Sequence, residues 1–413
     1  MRNFLKITVF LAVASVVLSP APAAGDGTYR LVIIEPWNTS YSLAVSSVDG
    51  LNNLNQVTGC ATPLSGGCSF LWTLETGKVP INVAGPINDL GVITAAGYIR
   101  WPDGTLQEMD GAMAAGADLN YANVVVGADG PLHTCEYPPY FPNREAVVWS
   151  PEGGTILVQQ QLGVWAADQA WAINNNNQFV GVVSSTGMCG DQKAFYYDLN
   201  TGEHIDLHRL VTGSASGITH AVDINDAGRV VGDGPVTMGG SAFLWSSSAG
   251  RTILPDLPGT LPGYSIPSSI NNAGRVVGQA IVNEEWRAWI WDQAGGIRDL
   301  NEFVRDLPTN FRIVEAKKIN DNGWIIGRGQ YGAWSPERAV VLIPITGAVA
   351  DLNCDGAVNT FDIDPFVMAL ADPAGYESHY PNCDRALADV NRDGRVNAFD
   401  IDPFVACLVG SCP

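Results

Sequence analysis

One short segment recurs along this chain, and self-similarity at a spacing of tens of residues means that one structural unit is built several times over. The segment reads Ile224-Asn225-Asp226-Ala227-Gly228-Arg229-Val230-Val231-Gly232, then Ile270-Asn271-Asn272-Ala273-Gly274-Arg275-Val276-Val277-Gly278, then Ile319-Asn320-Asp321-Asn322-Gly323-Trp324-Ile325-Ile326-Gly327. Looser copies begin at Leu51, Ile87, Leu119 and Ile173. The seven anchors lie 36, 32, 54, 51, 46 and 49 residues apart. Within each copy, Asn-x-x-Gly predicts a tight turn, and the apolar run after it predicts a short buried strand. Asn55, Asn123 and Asn177 stand where other copies have the turn glycine. Asparagine also tolerates a positive φ, so the exchange keeps the backbone shape. The copy at Ile87 is the weakest, ending Ile93-Thr94-Ala95.

A second signature follows, as Ala242-Phe243-Leu244-Trp245 and Ala288-Trp289-Ile290-Trp291, with variants Phe70-Leu71-Trp72, Ala146-Val147-Val148-Trp149 and Ala194-Phe195-Tyr196-Tyr197. It predicts the next strand, its aromatic packing between neighbouring units. Small residues three positions before the anchor (Ala84, Gly116, Ala170, Ala221, Ala316) are expected to let strands crowd toward a common axis. The unit is thus three or four antiparallel strands, at the spacing of a propeller blade. The expected fold is all-β, a seven-bladed β-propeller over 25–347. Tyr29-Arg30-Leu31-Val32-Ile33-Ile34 has no unit of its own and is expected to complete the last blade and close the ring. The alternative is an open β-solenoid. The repeats resemble the extracellular HAF-repeat proteins, whose short motif stands here as Ala242-Phe243. That resemblance implies a propeller-like fold and secretion, and brings no catalytic residues.

Residues 348–413 hold a different repeat. Asp351, Asn353, Asp355, Asn359 and Asp362 recur as Asp389, Asn391, Asp393, Asn397 and Asp400, at positions 1, 3, 5, 9 and 12 of two twelve-residue loops with glycine at 6. Position 7, Ala357 and Arg395, would contribute a backbone carbonyl. A ring of oxygens with a sharp turn suits a hard cation, so each loop is expected to hold one Ca²⁺. Ile-Asp-Pro-Phe-Val follows each loop, with Pro365 and Pro403 placed for the first turn of a helix. Between the halves, Asp372 to Asp384 reads as a linker. The pair resembles a type I dockerin, a small all-α module that attaches enzymes to cohesin-bearing scaffolds. The resemblance implies a cohesin-like partner, but Val367-Met368 and Val405-Ala406 stand where the family often has Lys or Arg.

At the other end, a basic start, an apolar run from Ile7 to Leu18 and small residues to Ala24 read as a signal peptide over 1–24. A membrane anchor is the alternative, but the run is short for a bilayer, and no later stretch reads as a transmembrane span. The expected location is secreted, extracellular or at the cell surface. The formal charge of −20 argues against a nucleic-acid partner, which needs clustered cations. Eight cysteines suit disulfides. Cys60 and Cys68 lie between the two strand motifs of one repeat, and Cys135 and Cys189 each lie 16 residues after their anchors, so these two pairs are expected.

No nucleophile elbow, phosphate loop or His-Glu-x-x-His appears. His204, Asp206 and His208 could share a strand face and a metal, but they occupy the place of an ordinary outer strand. No two carboxylates stand out as a glycosidase pair, and the twelve tryptophans sit mostly at repeat positions. Two readings of function remain. One is a non-catalytic binding or structural protein with a polysaccharide or other extracellular ligand. The other is a secreted polysaccharide-degrading enzyme or its accessory subunit.

Overall fold

The structure is a computed structural model. It describes residues 29–37, 45–62, 67–95, 97–109, 115–129, 145–158, 167–184, 192–213, 217–236, 239–305, 307–332, 335–345, 347–380, 383–391, 393 and 395–412. The signal-peptide expectation and the Cys135–Cys189 pairing lie outside the described residues. The chain divides into two compact units, one within 28–345 together with 378–381, the other within 346–377 and 382–413.

The larger unit is a β-propeller, and its described residues form seven blades of antiparallel strands. In the first blade the strands follow one another outward as Ser46–Leu51, Val57–Ala61, Ser69–Thr73 and Gly77–Pro80. The innermost strand ends at the anchor, the Asn-x-x-Gly turn reverses the chain, and the Val-Val-Gly strand returns. All seven turns carry a positive φ at the same seat, at Asn55, Asn123 and Asn177 as at Gly91, Gly228, Gly274 and Gly323. In the second blade the innermost strand shrinks to one bridge, Ile87 to Ile93, as the weak copy there foreshadows.

The cores lie between blades. Phe70 and Trp72 of the first blade pack with Trp324, Ile326 and Val341 of the last, and Phe243 and Trp245 of the fifth pack with Ala172, Val180 and Tyr196 of the fourth. The third-strand aromatic explains the second-strand glycine. A Cβ on Gly278 would stand 2.5 Å from Cζ2 of Trp289 and 2.2 Å from the Ile266 carbonyl oxygen, and one on Gly232 would stand 2.6 Å from Cζ of Phe243. Ala170, Ala221 and Ala316 face these second-strand glycines across the blade and are buried in the inter-blade cores. They make room for neighbouring blades rather than for the central axis, which corrects the sequence expectation.

Tyr29–Ile34 is the outer strand of the last blade. It runs antiparallel to Arg338–Pro344, pairing Tyr29 with Pro344 through to Ile34 with Ala339. Beyond it, Tyr29 and Arg30 bridge in parallel to Val304 and Arg305. The ring is therefore closed by strand exchange, and the open solenoid is set aside. In the fourth blade the outer strand stops at Asp206, because Asp206 Oδ1 accepts from Arg209 N at 2.9 Å and caps the helix Leu207–Thr212. His208 is buried in that helix with Nδ1 2.9 Å from Thr219 Oγ1, so the three residues do not share a strand face. Cys60 and Cys68 are disulfide-bonded.

Removal of residues 26–35 should destabilise the whole propeller. It exposes an edge in the last blade and loses burial of Tyr29 and Ile34 and part of that of Leu31, Val32 and Ile33, roughly 5 kcal/mol or more. The expected result is a single melting transition at markedly lower temperature, with association at higher protein concentration. A truncation that melts like its parent contradicts closure by this strand.

Candidate functional site

The face bearing the Asn-x-x-Gly turns surrounds a central cavity of about 160 Å³. The first asparagine of each copy is buried and makes the same contacts. Its Oδ1 accepts from the backbone N–H four residues on, as from Gln56, Val92, Val124, Gln178, Arg229, Arg275 and Trp324 at 2.9–3.1 Å. That holds the turn. Its Nδ2 donates to the backbone carbonyl of the same asparagine in the next blade: Asn52 to Asn88, Asn88 to Asn120, Asn120 to Asn174, Asn174 to Asn225, Asn225 to Asn271 and Asn271 to Asn320, at 2.9–3.1 Å. Asn320 donates to Asn52 at 2.8 Å and completes the circle.

A second, more exposed ring lies on the next residue of each turn. The backbone N–H of Asn53, Tyr121, Asn175, Asp226, Asn272 and Asp321 donates to the side-chain oxygen of Asp89, Asn175, Asp226, Asn272, Asp321 and Asn53, at 2.7–2.8 Å. Asn272 Nδ2 also reaches both flanking carboxylates, Asp226 at 3.0 Å and Asp321 at 2.9 Å, and Asn53 reaches Asp89 and Asp321 at 3.1 Å.

Below these rings, in four blades, the residue just before the anchor faces the axis. A bulge at the position before it recurs in six blades, for example between Ala221 and Asp223 and between Ala316 and Lys318, and re-aims this side chain. Asp118, Asp223, Ser269 and Lys318 line the cavity in consequence. Asp118 Oδ2 accepts from Ile173 N at 3.2 Å, and Asp223 Oδ2 from Ile270 N at 2.9 Å, each in the next described blade position. Lys318 crosses the axis to Asp118, Nζ to Oδ1 at 3.4 Å. Burial pushes the Asp223 carboxyl up, Lys318 pulls it down, Asp118 pushes it up again, and the net direction is upward. Burial acts to lower the Lys318 ammonium, but Asp118 and Asp223 together hold it above the usual lysine range. Sequence reasoning missed these residues; the signal was a charged or polar residue directly before an apolar anchor.

In the smaller unit both predicted loops fold alike. Asp362 is fully buried; its Oδ1 accepts from Leu352 N at 2.7 Å and Asn353 N at 3.1 Å, and its Oδ2 from Asn359 N at 2.8 Å. Asp400 is its counterpart, with Oδ1 on Asn391 N at 3.1 Å and Oδ2 on Asn397 N at 2.9 Å. Asn359 and Asn397 each complete a capping box with these aspartates. Asp355 Oδ1 accepts from Ala357 N, and Asp393 Oδ1 from Arg395 N, both at 2.9 Å. Asp351 and Asp389 are buried at position 1. Asp351 Oδ2 accepts from Gly356 N at 3.1 Å, while its Oδ1 is buried without a hydrogen-bond partner. Burial pushes the Asp351 carboxyl up, and the charges of Asp362 and Asp355 add to that. Each donor set mixes carboxylates, amides and a carbonyl. Among the described residues no group of three or more His, Cys, Asp or Glu is gathered to hold a metal.

Helices Ile363–Ala371 and Ile401–Leu408 follow the loops and stack Phe366 on Phe404, centroids 3.9 Å apart and planes 2° from parallel. The expected linker instead contains the helix Pro373–His379. Pro373 suits a first helical position, Asp372 Oδ1 accepts from Gly375 N at 3.0 Å, and Tyr376 is buried with its hydroxyl donating to the Leu352 carbonyl at 2.8 Å. Disulfides Cys354–Cys383 and Cys407–Cys412 join parts of this unit. No helix among the described residues is long and apolar enough to cross a membrane.

The family described as "Protein of unknown function (DUF3466)" matches residues 112–374, well over half of the chain. A search of curated proteins finds no match. Similar solved structures include the β-propeller domain of the Trilobed protease from Pyrococcus furiosus, 10% identical, with a TM-score of 0.45, covering 74% of this chain and 94% of that one. Virginiamycin B lyase from Staphylococcus aureus is 9% identical, with a TM-score of 0.41, covering 76% and 99%. Neither likeness carries an argument about what this chain does.

Asn271→Asp tests the inner ring. The substitution keeps the oxygen that accepts from Arg275 N and turns the donor facing the Asn320 carbonyl into a second oxygen. The expected loss at about pH 7 is roughly 2–3 kcal/mol. The new carboxyl has a folded pKa raised by that repulsion, so its cost is fully present at neutral pH and shrinks as the pH falls and the group protonates. Chemical denaturation at two pH values measures this. Lys318→Met tests the axis. It leaves Asp118 and Asp223 facing each other and should cost roughly 2 kcal/mol or more at neutral pH, under the figure for a fully buried pair because Lys318 keeps some solvent contact. That cost also lessens toward acid pH, because burial, with the Asp118 charge beside it, holds the Asp223 carboxyl above its usual range and it takes up a proton more readily in the folded state. A pH-independent difference between variant and parent would contradict the assignment.

Proposed function

We propose that this chain, which belongs to the DUF3466 family of proteins of unknown function, is an exported, non-catalytic binding protein whose propeller is attached to a protein partner by a calcium-dependent, dockerin-like tail. The observation that carries the tail reading is that one loop pattern occurs twice with matching bonds to its last aspartate, from Asn353 and Asn359 to Asp362 and from Asn391 and Asn397 to Asp400, with Asp351 Oδ1 buried and unanswered at position 1 of the first. Asp351, Asn353, Asp355, Asn359 and Asp362, with the Ala357 carbonyl, would hold one Ca²⁺. Asp389, Asn391, Asp393, Asn397 and Asp400, with the Arg395 carbonyl, would hold the other. A bound cation neutralises carboxylates that otherwise repel one another, which couples binding to folding.

The partner reading is supported by an apolar set repeated in both halves. Phe361 and Phe399 are 75% and 79% exposed, and Val367 and Val405 are about half exposed. An apolar face duplicated with the loops suits a protein partner of cohesin type, and it stands where the resembling family often carries cations. The non-catalytic reading of the propeller is supported by how its face carboxylates are used. Asp89, Asp226 and Asp321 accept ring hydrogen bonds, and Asp118 and Asp223 accept from backbone N–H groups beside Lys318. Groups so engaged serve closure of the ring. The Cys60–Cys68 and tail disulfides support an oxidising compartment.

Calcium titration of the purified chain by calorimetry should show one ion per loop, and chelator should lower the melting temperature of the tail. Asp355→Ala and Asp393→Ala should each abolish about one ion's binding, by loss of the ligand at position 5. Melting curves that coincide in calcium and chelator would remove the calcium reading.

A further inference from the structure

Blades six and seven frame a larger cavity, about 700 Å³, at the face opposite the asparagine turns. It lies where the strands Glu285–Asp292 and Phe311–Ile319 begin, and Glu285, Arg287, Asn310, Phe311, Arg312 and Tyr331 line it. In a chain with only 22 cations among 413 residues, two guanidiniums meet here. Arg287 donates through Nη1 to Asp299 Oδ2 at 2.9 Å and through Nη2 to Glu285 Oε2 at 3.3 Å. Arg312 donates through Nη1 to the same Glu285 oxygen. The Nε groups of both arginines are buried and have no hydrogen-bond partner. On the other wall Tyr331 stands edge-on to Phe311, centroids 4.8 Å apart, and leaves 42% of its surface exposed.

We infer that this cavity binds a carboxylated sugar, with its carboxylate at Arg312 and Arg287 and its ring against Tyr331. The inference rests on the binding reading above and gives it a ligand class. Each guanidinium has five N–H donors in a planar fork that fits a carboxylate. Glu285 and Asp299 take three of the ten N–H donors, the two Nε groups are buried, and Glu285 is itself 44% exposed, so five donors stay available beside carboxylates already held in place. The same contacts hold the Glu285 carboxyl below its usual range, the Arg312 hydrogen bond foremost. A half-exposed aromatic ring offers the apolar C–H face of a sugar a surface to stack on. The cavity volume lies within the range of small-molecule sites. Asn310 holds a left-handed backbone at φ 65°, and its carbonyl accepts from Gly332 N at 2.8 Å, which fixes the rim that carries Tyr331.

The test uses the full chain in calcium and three probes: an oligogalacturonate, its methyl ester, and a neutral gluco-oligosaccharide. Calorimetry measures binding, and a reducing-end assay runs alongside. The free acid should bind, and the ester should bind at least about tenfold more weakly. Arg312→Gln and Tyr331→Ala should each weaken binding of the acid by at least about tenfold, at an unchanged melting temperature. Tyr331 lies at the exposed rim, so its variant keeps the test informative if Arg312→Gln fails to fold. Equal binding of acid and ester, binding undiminished in Tyr331→Ala, or no binding of the acid would each overturn the inference. Neutral sugar bound alike by parent and variants would remove this cavity and leave the binding reading standing. Reducing ends released from any probe would instead remove the non-catalytic reading.

Discussion

The propeller depends on one amide used seven times. Each inner-ring asparagine holds its own turn with its oxygen and the next blade with its nitrogen, so a blade cannot rotate away without leaving a buried N–H and a buried C=O unanswered. Leaving such groups unpaired costs more than the hydrogen bond contributes, which makes the ring act as a unit. Glutamine would displace the nitrogen by a methylene, and aspartate would lose the donor. The inter-blade cores complement this arrangement from outside the ring. There, in four blades, the second-strand glycine lets the third-strand ring lie across it: Gly59 under Phe70, Gly181 under Phe195, Gly232 under Phe243 and Gly278 under Trp289. Polar closure near the axis and aromatic wedges farther out together fix both the spacing and the angle of the blades.

Much of this was legible in the sequence, and the limits follow from distance along the chain. The number of copies, the positive φ at Asn55, Asn123 and Asn177, and the role of Tyr29–Ile34 are local or nearly local facts, because turn chemistry and an unmatched strand can be read in place. The function of the inner asparagine could not be read so. Its nitrogen bonds to a carbonyl 32 to 54 residues on, or 268 residues away for Asn320 and Asn52, and a turn residue gives no sign of what lies beyond it. Asp118, Asp223 and Lys318 were missed because alternation along an unbroken strand is the simple expectation, and the bulge resets it. The helix at Pro373 was hidden because Asp-Pro-x-Gly reads as a turn unless a buried partner such as Tyr376 is known.

The tail repeats this lesson on a smaller scale. Two loops with the same residues at positions 1, 3, 5, 9 and 12 make matching hydrogen bonds to their last aspartate, and the aromatic residues that follow them, Phe366 and Phe404, meet in a near-parallel stack. A duplicated segment packed through equivalent residues makes the loop and the start of the helix after it appear twice in matching form. The exposed Phe361 and Phe399 belong to that duplication. They lie two residues after the capping asparagines Asn359 and Asn397, inside the short helical turns that the capping boxes fix, so their exposure is set by the loop and not by chance at a chain end.

The odd number of blades has a consequence for the outer ring. Around the face its members run Asn53, Asp89, Tyr121, Asn175, Asp226, Asn272 and Asp321. Asparagine can donate to carboxylates on both sides, as Asn272 does to Asp226 and Asp321, so alternation of Asn and Asp satisfies every neighbour. Seven seats cannot alternate two residue types without a fault, since two carboxylates or two amides would meet somewhere. Tyr121 occupies the fault. Its own N–H still donates to Asn175, but it offers no amide or carboxylate oxygen to Asp89, and among the described residues this is the one step where the bond is not repeated. The inner ring has no such difficulty, because an asparagine there donates to a backbone carbonyl and every residue supplies one. A seven-fold closure is therefore complete on the backbone and broken once among the side chains, and the break sets the exposed ring of Tyr121 on an otherwise regular face.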